Sequence, residues 1–423
     1  MRTQFAKGAS DLWTVKALLI ACLLMGAARV EAGVVFSQAP VNHAASRISD
    51  WSDDKEKSDD FILVGGPRLI TKINWWGSYG ANPDPAADSF TFRFFAGDPD
   101  TPGFPSCLSI EDGTRYPRSY SATDYSRQAT SLVSDPSGSH DGGMVYAYSA
   151  VLDRPIVLEG NKQYWLAIAN ATAEYIYPPT KNSRWGWLGS SSGSQWYRMA
   201  HCPLCADDWT ISNTTHLAFS LEALPEIAGY KSMPDGMAIS GTDAFVTAAF
   251  VDFFYARVDD RTSAIRVKSP GHTLVVSNKV HIEGSLSTND DCERFIDASS
   301  ATQIDGGATT SPLGMRASCL GGGPFNLQCG VQGGKGVNNI GMLVRIWGLV
   351  TSLDPSSQKT WFVVSDGSGF VKVTVPGGTA VPRKGDHVIV TGISSCEESG
   401  DQVVGVVRVP LRETIRTVEC SGL

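Results

Sequence analysis

One strand pattern is written twice in this chain, 108 residues apart, and that repeat constrains the fold more than any other feature. Lys279-Val280-His281-Ile282-Glu283-Gly284 aligns with His387-Val388-Ile389-Val390-Thr391-Gly392. Upstream, Phe253-Phe254-Tyr255-Ala256-Arg257-Val258-Asp259-Asp260 aligns with Thr360-Trp361-Phe362-Val363-Val364-Ser365-Asp366-Gly367. Two weakly similar modules offset by about a hundred residues mean duplication of one folding unit, hence a modular chain. At 423 residues the chain is also too long for a single core.

The first 32 residues read as a secretory signal peptide. Arg2, Lys7 and Lys16 precede the apolar run Ala17-Leu18-Leu19-Ile20-Ala21-Cys22-Leu23-Leu24-Met25, and Val30-Glu31-Ala32 offers a small residue at a cleavage site. The run is shorter than the ~20 apolar residues a membrane anchor needs, so no membrane span is expected after cleavage. The expected location is secreted or at the cell surface. Cleavage moves the formal net charge from -8 to about -10, the wrong sign for a phosphate-binding protein, so nucleic acid is disfavoured as a partner. Eight cysteines remain, and an even count in an exported chain favours disulfides. The disulfide candidates are Cys202 with Cys205, Cys319 with Cys329, and Cys396 with Cys420.

Gly and Pro are plentiful (43 and 22), charged residues make up 18%, and no long amphipathic helical period occurs. The expected fold class is therefore all-β: an N-terminal β-sandwich (jelly-roll-like) followed by two five-stranded barrels. Residues 33–224 form the sandwich, with period-two alternation clearest in Phe90-Thr91-Phe92-Arg93-Phe94. Residues 227–305 form the first barrel, 306–339 a Gly-rich linker, and 340–423 the second barrel.

The last unit carries Gly348-Leu349-Val350-Thr351, an aromatic strand ending in Asp366-Gly367-Ser368-Gly369, and Lys384-Gly385-Asp386 before a Val-Ile-Val-Thr-Gly strand. In this it resembles an OB-fold, similar to the exported bacterial OB-fold domains appended to surface proteins and to some secreted nucleases. Residues 227–305 look like its degenerate partner. The first unit resembles an uncharacterised family of exported bacterial β-sandwich domains through Asp59-Asp60-Phe61, Trp75-Trp76-Gly77-Ser78-Tyr79 and Tyr164-Trp165-Leu166-Ala167-Ile168.

Trp185-Gly186-Trp187 places two rings on one face of a strand, followed by a Gly/Ser stretch and Gln195-Trp196-Tyr197. Trp185, Trp187, Trp196 and Tyr197 are the expected ligand face for a glycan, set against the ordinary role of large aromatics as core. Asp53, Asp59 and Asp60 are candidate ligands for a structural calcium ion, and no other cofactor is expected. Lys55 and Lys57 beside them favour a solvated loop instead. His201-Cys202-Pro203-Leu204-Cys205 has the spacing of half a zinc site, but no second such pair exists, which favours a loop disulfide.

No nucleophile elbow, zinc-protease helix or phosphate loop occurs, so no catalytic activity is expected. In the barrels Phe253, Phe254, Tyr255, Trp361 and Phe362 offer rings, and Arg257, Arg266, Lys268, Arg345 and Lys372 offer charge. The expected function is thus recognition or structure at the cell surface, with a glycan or a surface protein as partner. The alternatives are single-stranded nucleic-acid binding by the barrels, or a glycan hydrolase with its acids in the sandwich loops. Oligomeric state is left open.

Overall fold

The computed structural model describes residues 32–51, 55–80, 88–98, 105–109, 119–122, 125–136, 142–171, 184–190, 197–200, 209–212, 216–258, 262–410 and 414–418. The fold is all-β, with one short helix at Glu226–Tyr230 and a 3-10 turn at Ala317–Cys319 among the described residues. No helix among the described residues is long and apolar enough to cross a membrane.

Residues before 224 form a sandwich-like pair of sheets. The eight-stranded sheet runs Gly33–Gln38, Phe219–Ala223, Arg68–Ser78, Gly186–Ser190, His216–Leu217, with Ser46–Ile48, Tyr125–Val133 and Met144–Leu158 attached. The seven-stranded sheet centres on Glu56–Ile62, Gln163–Asn170 and Phe90–Gly97. Alternation explains the packing. Along Gln163–Asn170, Tyr164, Leu166 and Ile168 enter the core between the sheets, while Trp165 and Ala167 join Phe95 and Trp209 on the opposite face. Trp75 and Trp76 divide in the same way: Trp75 lies in the main core, and Trp76 packs half-buried against Val145, Leu188 and Ala218.

The next unit is a closed five-stranded barrel consistent with an OB-fold. Ala238–Ala249, Phe253–Arg257, Ala264–Lys268, Arg294–Gly307 and Asn278–Thr288 pair in that cyclic order, and only Ala264–Lys268 with Arg294–Gly307 is parallel. The helix Glu226–Tyr230 joins this barrel to the sandwich, for Ile227 and Tyr230 share the barrel core with Leu69.

The last sheet has seven strands in the order Leu313–Gly314, Leu343–Leu353, Trp361–Ser365, Phe370–Thr374, Gln402–Arg408, His387–Ser399, Ile415–Val418. Leu343–Leu353 also pairs with His387–Ser399. Gly348 makes that curvature possible, since a Cβ there would meet the Ser365 carbonyl oxygen at 2.3 Å.

Residues 306–339 are packed against their neighbours. Ala317 and Leu320 enter the core of the last sheet, and Gln328 is buried, bonded to the Arg294 amide at 3.1 Å and the Cys292 carbonyl at 3.0 Å. Cys329 is disulfide-bonded to Cys292, with Cα atoms 5.9 Å apart. This corrects the expected Cys319–Cys329 pairing, because the closed barrel brings the turn at 289–293 to Cys329 and leaves Cys319 with a free thiol. Cys396 is also free and buried; Cys202, Cys205 and Cys420 lie outside the described residues.

The barrel meets the last sheet across a mixed interface. Phe253 and Tyr255, which alternation turns away from the barrel core, pack with Ala248, Leu343 and Ile393. Beneath them Glu293 accepts bonds from the Tyr255 hydroxyl at 2.9 Å and the Ser395 hydroxyl at 3.1 Å. Arg408 donates to Ser395 at 2.9 Å and to Asp291 at 3.2 Å.

Candidate nucleic-acid interface and a buried acid–histidine cluster

Two of the four rings expected to form a glycan platform are not where a ligand can reach them. Trp185 and Trp187 are both 0% exposed within the sandwich core. Gly186 pairs with Ser78 on one side and Ile48 on the other, so the strand is internal to its sheet, and the face carrying both rings looks into the sandwich. Trp185 packs edge-on against Phe90 and Trp187 against Phe219, with the Trp187 indole N–H donating to the Ala218 carbonyl at 2.9 Å. Trp196 lies outside the described residues, as does the side chain of Tyr197.

Most of the rings and cations considered for the barrels are also engaged internally. Phe254 and Phe362 are core, while Phe253 and Tyr255 form the interface just described. Arg266 lies over Phe253 at 3.8 Å and faces Glu293 at 3.5 Å. Lys268 pairs with Asp297 at 3.2 Å, and Lys372 with Glu397 at 2.6 Å while lying over the Trp361 ring. Arg257 donates to Thr310 at 2.7 Å and lies over Phe245.

Arg345 is different. Along Leu343–Leu353, Val344, Ile346 and Val350 point into the core, so Arg345, Trp347 and Leu349 point out. Arg345 stands opposite Thr391, Trp347 opposite Ile389 and Leu349 opposite His387. On the other side of His387–Ser399, Ile389 stands opposite Arg416 and His387 opposite Val418. The result is one exposed face on which Trp347, 51% exposed, has Arg345 two residues away along its own strand and Arg416 two strands away across Ile389. Arg345, Ile389, Thr391, Thr414 and Arg416 enclose a shallow open pocket of about 280 Å³ with no carboxylate in its lining. Arg345 Nε donates to the Thr391 hydroxyl at 3.0 Å, which fixes the guanidinium. Neither arginine has an ion-pair partner among the described residues. Such a face can stack a flat ring on Trp347 and hold anionic groups beside it. Trp347 escapes a reading built on the aromatic strands 253–255 and 361–362, although its alternation with Val344 and Ile346 was there to find.

In the sandwich, Asp59 and Asp60 do come together, with a third residue that the sequence reading missed. His216 Nδ1 lies 2.9 Å from Asp59 Oδ1 and 4.0 Å from Asp60 Oδ1. The side-chain amide of Gln38 reaches the same nitrogen at 3.1 Å. Burial pushes the Asp59 carboxyl up to about 7, against the opposing pull of His216 and the Leu217 amide. Burial works to lower the His216 pKa, but its hydrogen bond to Asp59 and the nearby negative charge outweigh that and raise it. Asp53 lies outside the described residues.

Residues 36–222 match a family model described as a domain of unknown function (DUF7901). No curated protein matches the chain. Among solved structures, the chain is similar to the tetrameric p202 HIN2 at 15% identity, covering 44% of this chain and 98% of that one, with a TM-score of 0.27. A murine DNA-binding protein bound with double-stranded DNA is similar at 14% identity, covering 43% and 97%, with a TM-score of 0.26. The p204 HINb domain is similar at 13% identity, covering 44% and 96%, with a TM-score of 0.22. The expectation that nucleic acid is disfavoured does not stand, and a protein bound with double-stranded DNA is among the structures the chain is similar to. That expectation rested on net charge over the whole chain, which says little about a local face such as Arg345–Arg416. At these TM-scores the likeness carries no argument of its own.

Proposed function

We propose that this chain is an exported, non-catalytic binding protein whose last sheet contacts single-stranded nucleic acid through Trp347, Arg345 and Arg416. The observation that carries the proposal is an outward tryptophan on the same face as two outward arginines, which line a neighbouring pocket without acids. Single-strand binders combine a ring for base stacking with cations for the backbone, and read little sequence. Reading the last sheet as a second barrel of the first barrel's plan is supported by the parallel pairing of Phe370–Thr374 with Gln402–Arg408 and by the additional pairing of Leu343–Leu353 with His387–Ser399. The signal-like residues 1–32 and the Cys292–Cys329 disulfide support export to an oxidising compartment.

The test is fluorescence anisotropy with labelled single-stranded DNA over a salt series. Trp347→Ala weakens binding by about 1–3 kcal/mol and leaves the salt slope unchanged, because it removes stacking alone. Arg345→Ala and Arg416→Ala each lower the slope of log K against log salt by about 0.7. Full affinity in all three variants refutes the assignment. Binding of oligosaccharide in place of DNA, lost with Trp347→Ala but indifferent to salt, replaces it with a glycan role for the same face.

A further inference from the structure

The cluster around His216 holds more unsatisfied polarity than a buried hydrogen-bond network should. Gln38 and His216 are each 4% exposed. Gln38 Oε1, His216 Nε2 and Asp60 Oδ1 are buried atoms without a hydrogen-bond partner among the described residues. The contacts at His216 Nδ1 also conflict. A ring nitrogen offers one proton or one lone pair, yet this one faces a carboxylate oxygen at 2.9 Å and an amide nitrogen at 3.1 Å. Gln38 Nε2 also donates to the Asp60 carbonyl at 3.2 Å, a bond that a half turn of the amide would give up in bringing Oε1 toward the same point. Then a nitrogen lone pair, two carboxylate oxygens and an amide oxygen converge with no donor among them. Buried polar groups ordinarily find partners, and a cation would meet all four acceptors at once where a single proton meets two.

We propose that Asp59, Asp60 and His216, with Gln38 as a fourth ligand, form a divalent metal site of the zinc type that ties the two sheets of the sandwich together. The ligand atoms of the three titratable residues lie within 4.8 Å of one another. The separations of 2.9 and 4.0 Å from His216 Nδ1 bracket the edge of about 3.4 Å expected for a tetrahedron with bonds near 2.1 Å. The outer carboxylate oxygens are already held: Asp59 Oδ2 accepts the Leu217 amide at 2.5 Å, and Asp60 Oδ2 accepts Gln163 Nε2 at 2.8 Å. Those bonds aim each Oδ1 toward the histidine, as outer-shell partners do at metal sites. Asp59 Oδ1 also accepts the Asp60 amide at 3.0 Å, which fixes it further. A histidine nitrogen among so few ligands selects a borderline first-row dication, whereas calcium wants six to eight oxygens. The calcium expected from the acid cluster alone is thereby replaced.

Gln38 and His216 belong to the eight-stranded sheet, and Asp59 and Asp60 to Glu56–Ile62 of the seven-stranded one. The ion therefore bridges the two layers, and its role is structural.

The experiment starts from chelator-treated full-length protein, titrated with Zn²⁺ by calorimetry, with metal content measured by plasma mass spectrometry and thermal unfolding followed in parallel. The expected result is one equivalent of tightly bound zinc that raises the unfolding temperature. His216→Ala and Asp60→Asn each weaken binding by at least about 100-fold, the upper end of what loss of an outer-shell partner alone costs. Asp60→Asn keeps the size of the side chain and answers the question if His216→Ala does not fold. No zinc uptake by the native chain, or equal uptake by Asp60→Asn, overturns the proposal. Uptake abolished by Cys202→Ser/Cys205→Ser instead moves the ion to the Cys-Xaa-Xaa-Cys pair and also overturns it.

Discussion

Lys231 sits where the sandwich, the closed barrel and the last sheet converge, and raising the pH should stabilise the protein through it. It is 2% exposed, and its ammonium donates to the Ile340 carbonyl at 2.5 Å. Burial lowers its pKa from 10.5 to about 8, with Glu293 and Cys396 pulling weakly the other way. Below pH 8 the lysine is protonated in both folded and unfolded chains, and folding bears the whole penalty, about 3 kcal/mol for that drop. Between pH 8 and 10.5 the unfolded chain holds more protons than the folded one, so stability climbs with pH. From pH 7.5 to 9.5 the gain is about 2 kcal/mol. Cys396 opposes it: burial raises the thiol pKa in the fold, so ionisation of the unfolded thiol removes roughly 1 kcal/mol by pH 9.5. Lys231→Met separates the two effects. In urea unfolding at pH 7.5, 8.5 and 9.5, the free energy of the native chain minus that of the variant should rise by about 2 kcal/mol across the series. A difference that stays constant with pH refutes the reasoning from burial.

Three further outcomes can be checked by the same unfolding assay. Replacing Cys292 and Cys329 by serine should lower stability by about 4 kcal/mol, the loop-closure value for a separation of 37 residues. Arg93→Met should cost about 3–5 kcal/mol because it strands the carboxylate of fully buried Glu56, to which Arg93 Nε donates at 2.9 Å. Adding Glu56→Leu to that variant should recover most of the loss, and failure to recover shows that the pair contributes through packing alone. Trp187→Phe should cost about 0.5–1.5 kcal/mol for the lost hydrogen bond, since the Ala218 carbonyl keeps only the longer bond from the Trp76 amide at 3.4 Å.

How much could be read from the sequence depended on the range of the contact involved. Alternation within one strand placed Phe90, Phe92 and Phe94 on the core face and split Trp75 from Trp76, because neighbours in a strand decide that geometry. The repeat located the strands of the closed barrel for the same reason. Trp185 and Trp187 were correctly put on one face, but which way that face looks depends on pairing with Ser78 and Ile48, more than a hundred residues upstream. Disulfide partners followed the same rule: Cys319 is nearer in sequence to Cys329, yet barrel closure delivers Cys292. His216 stands 157 positions after Asp59, and nothing local in either stretch announces the other. Arg345 was legible as a charge, but its isolation from acids appears only once three strands lie side by side.

The sandwich begins and ends on the same seam, with Gly33 opposite Ala223 and Gln38 opposite Phe219. On a ribosome adding 5–20 residues each second, the 190 positions between Gly33 and Ala223 take roughly 10–40 s to appear. Throughout that interval Val34, Val35 and Phe36 are made but have no strand to join. The opening segment is therefore the part of the nascent chain most available to a holding factor or to a neighbouring copy. A chain released before residue 219 would keep that edge open for good.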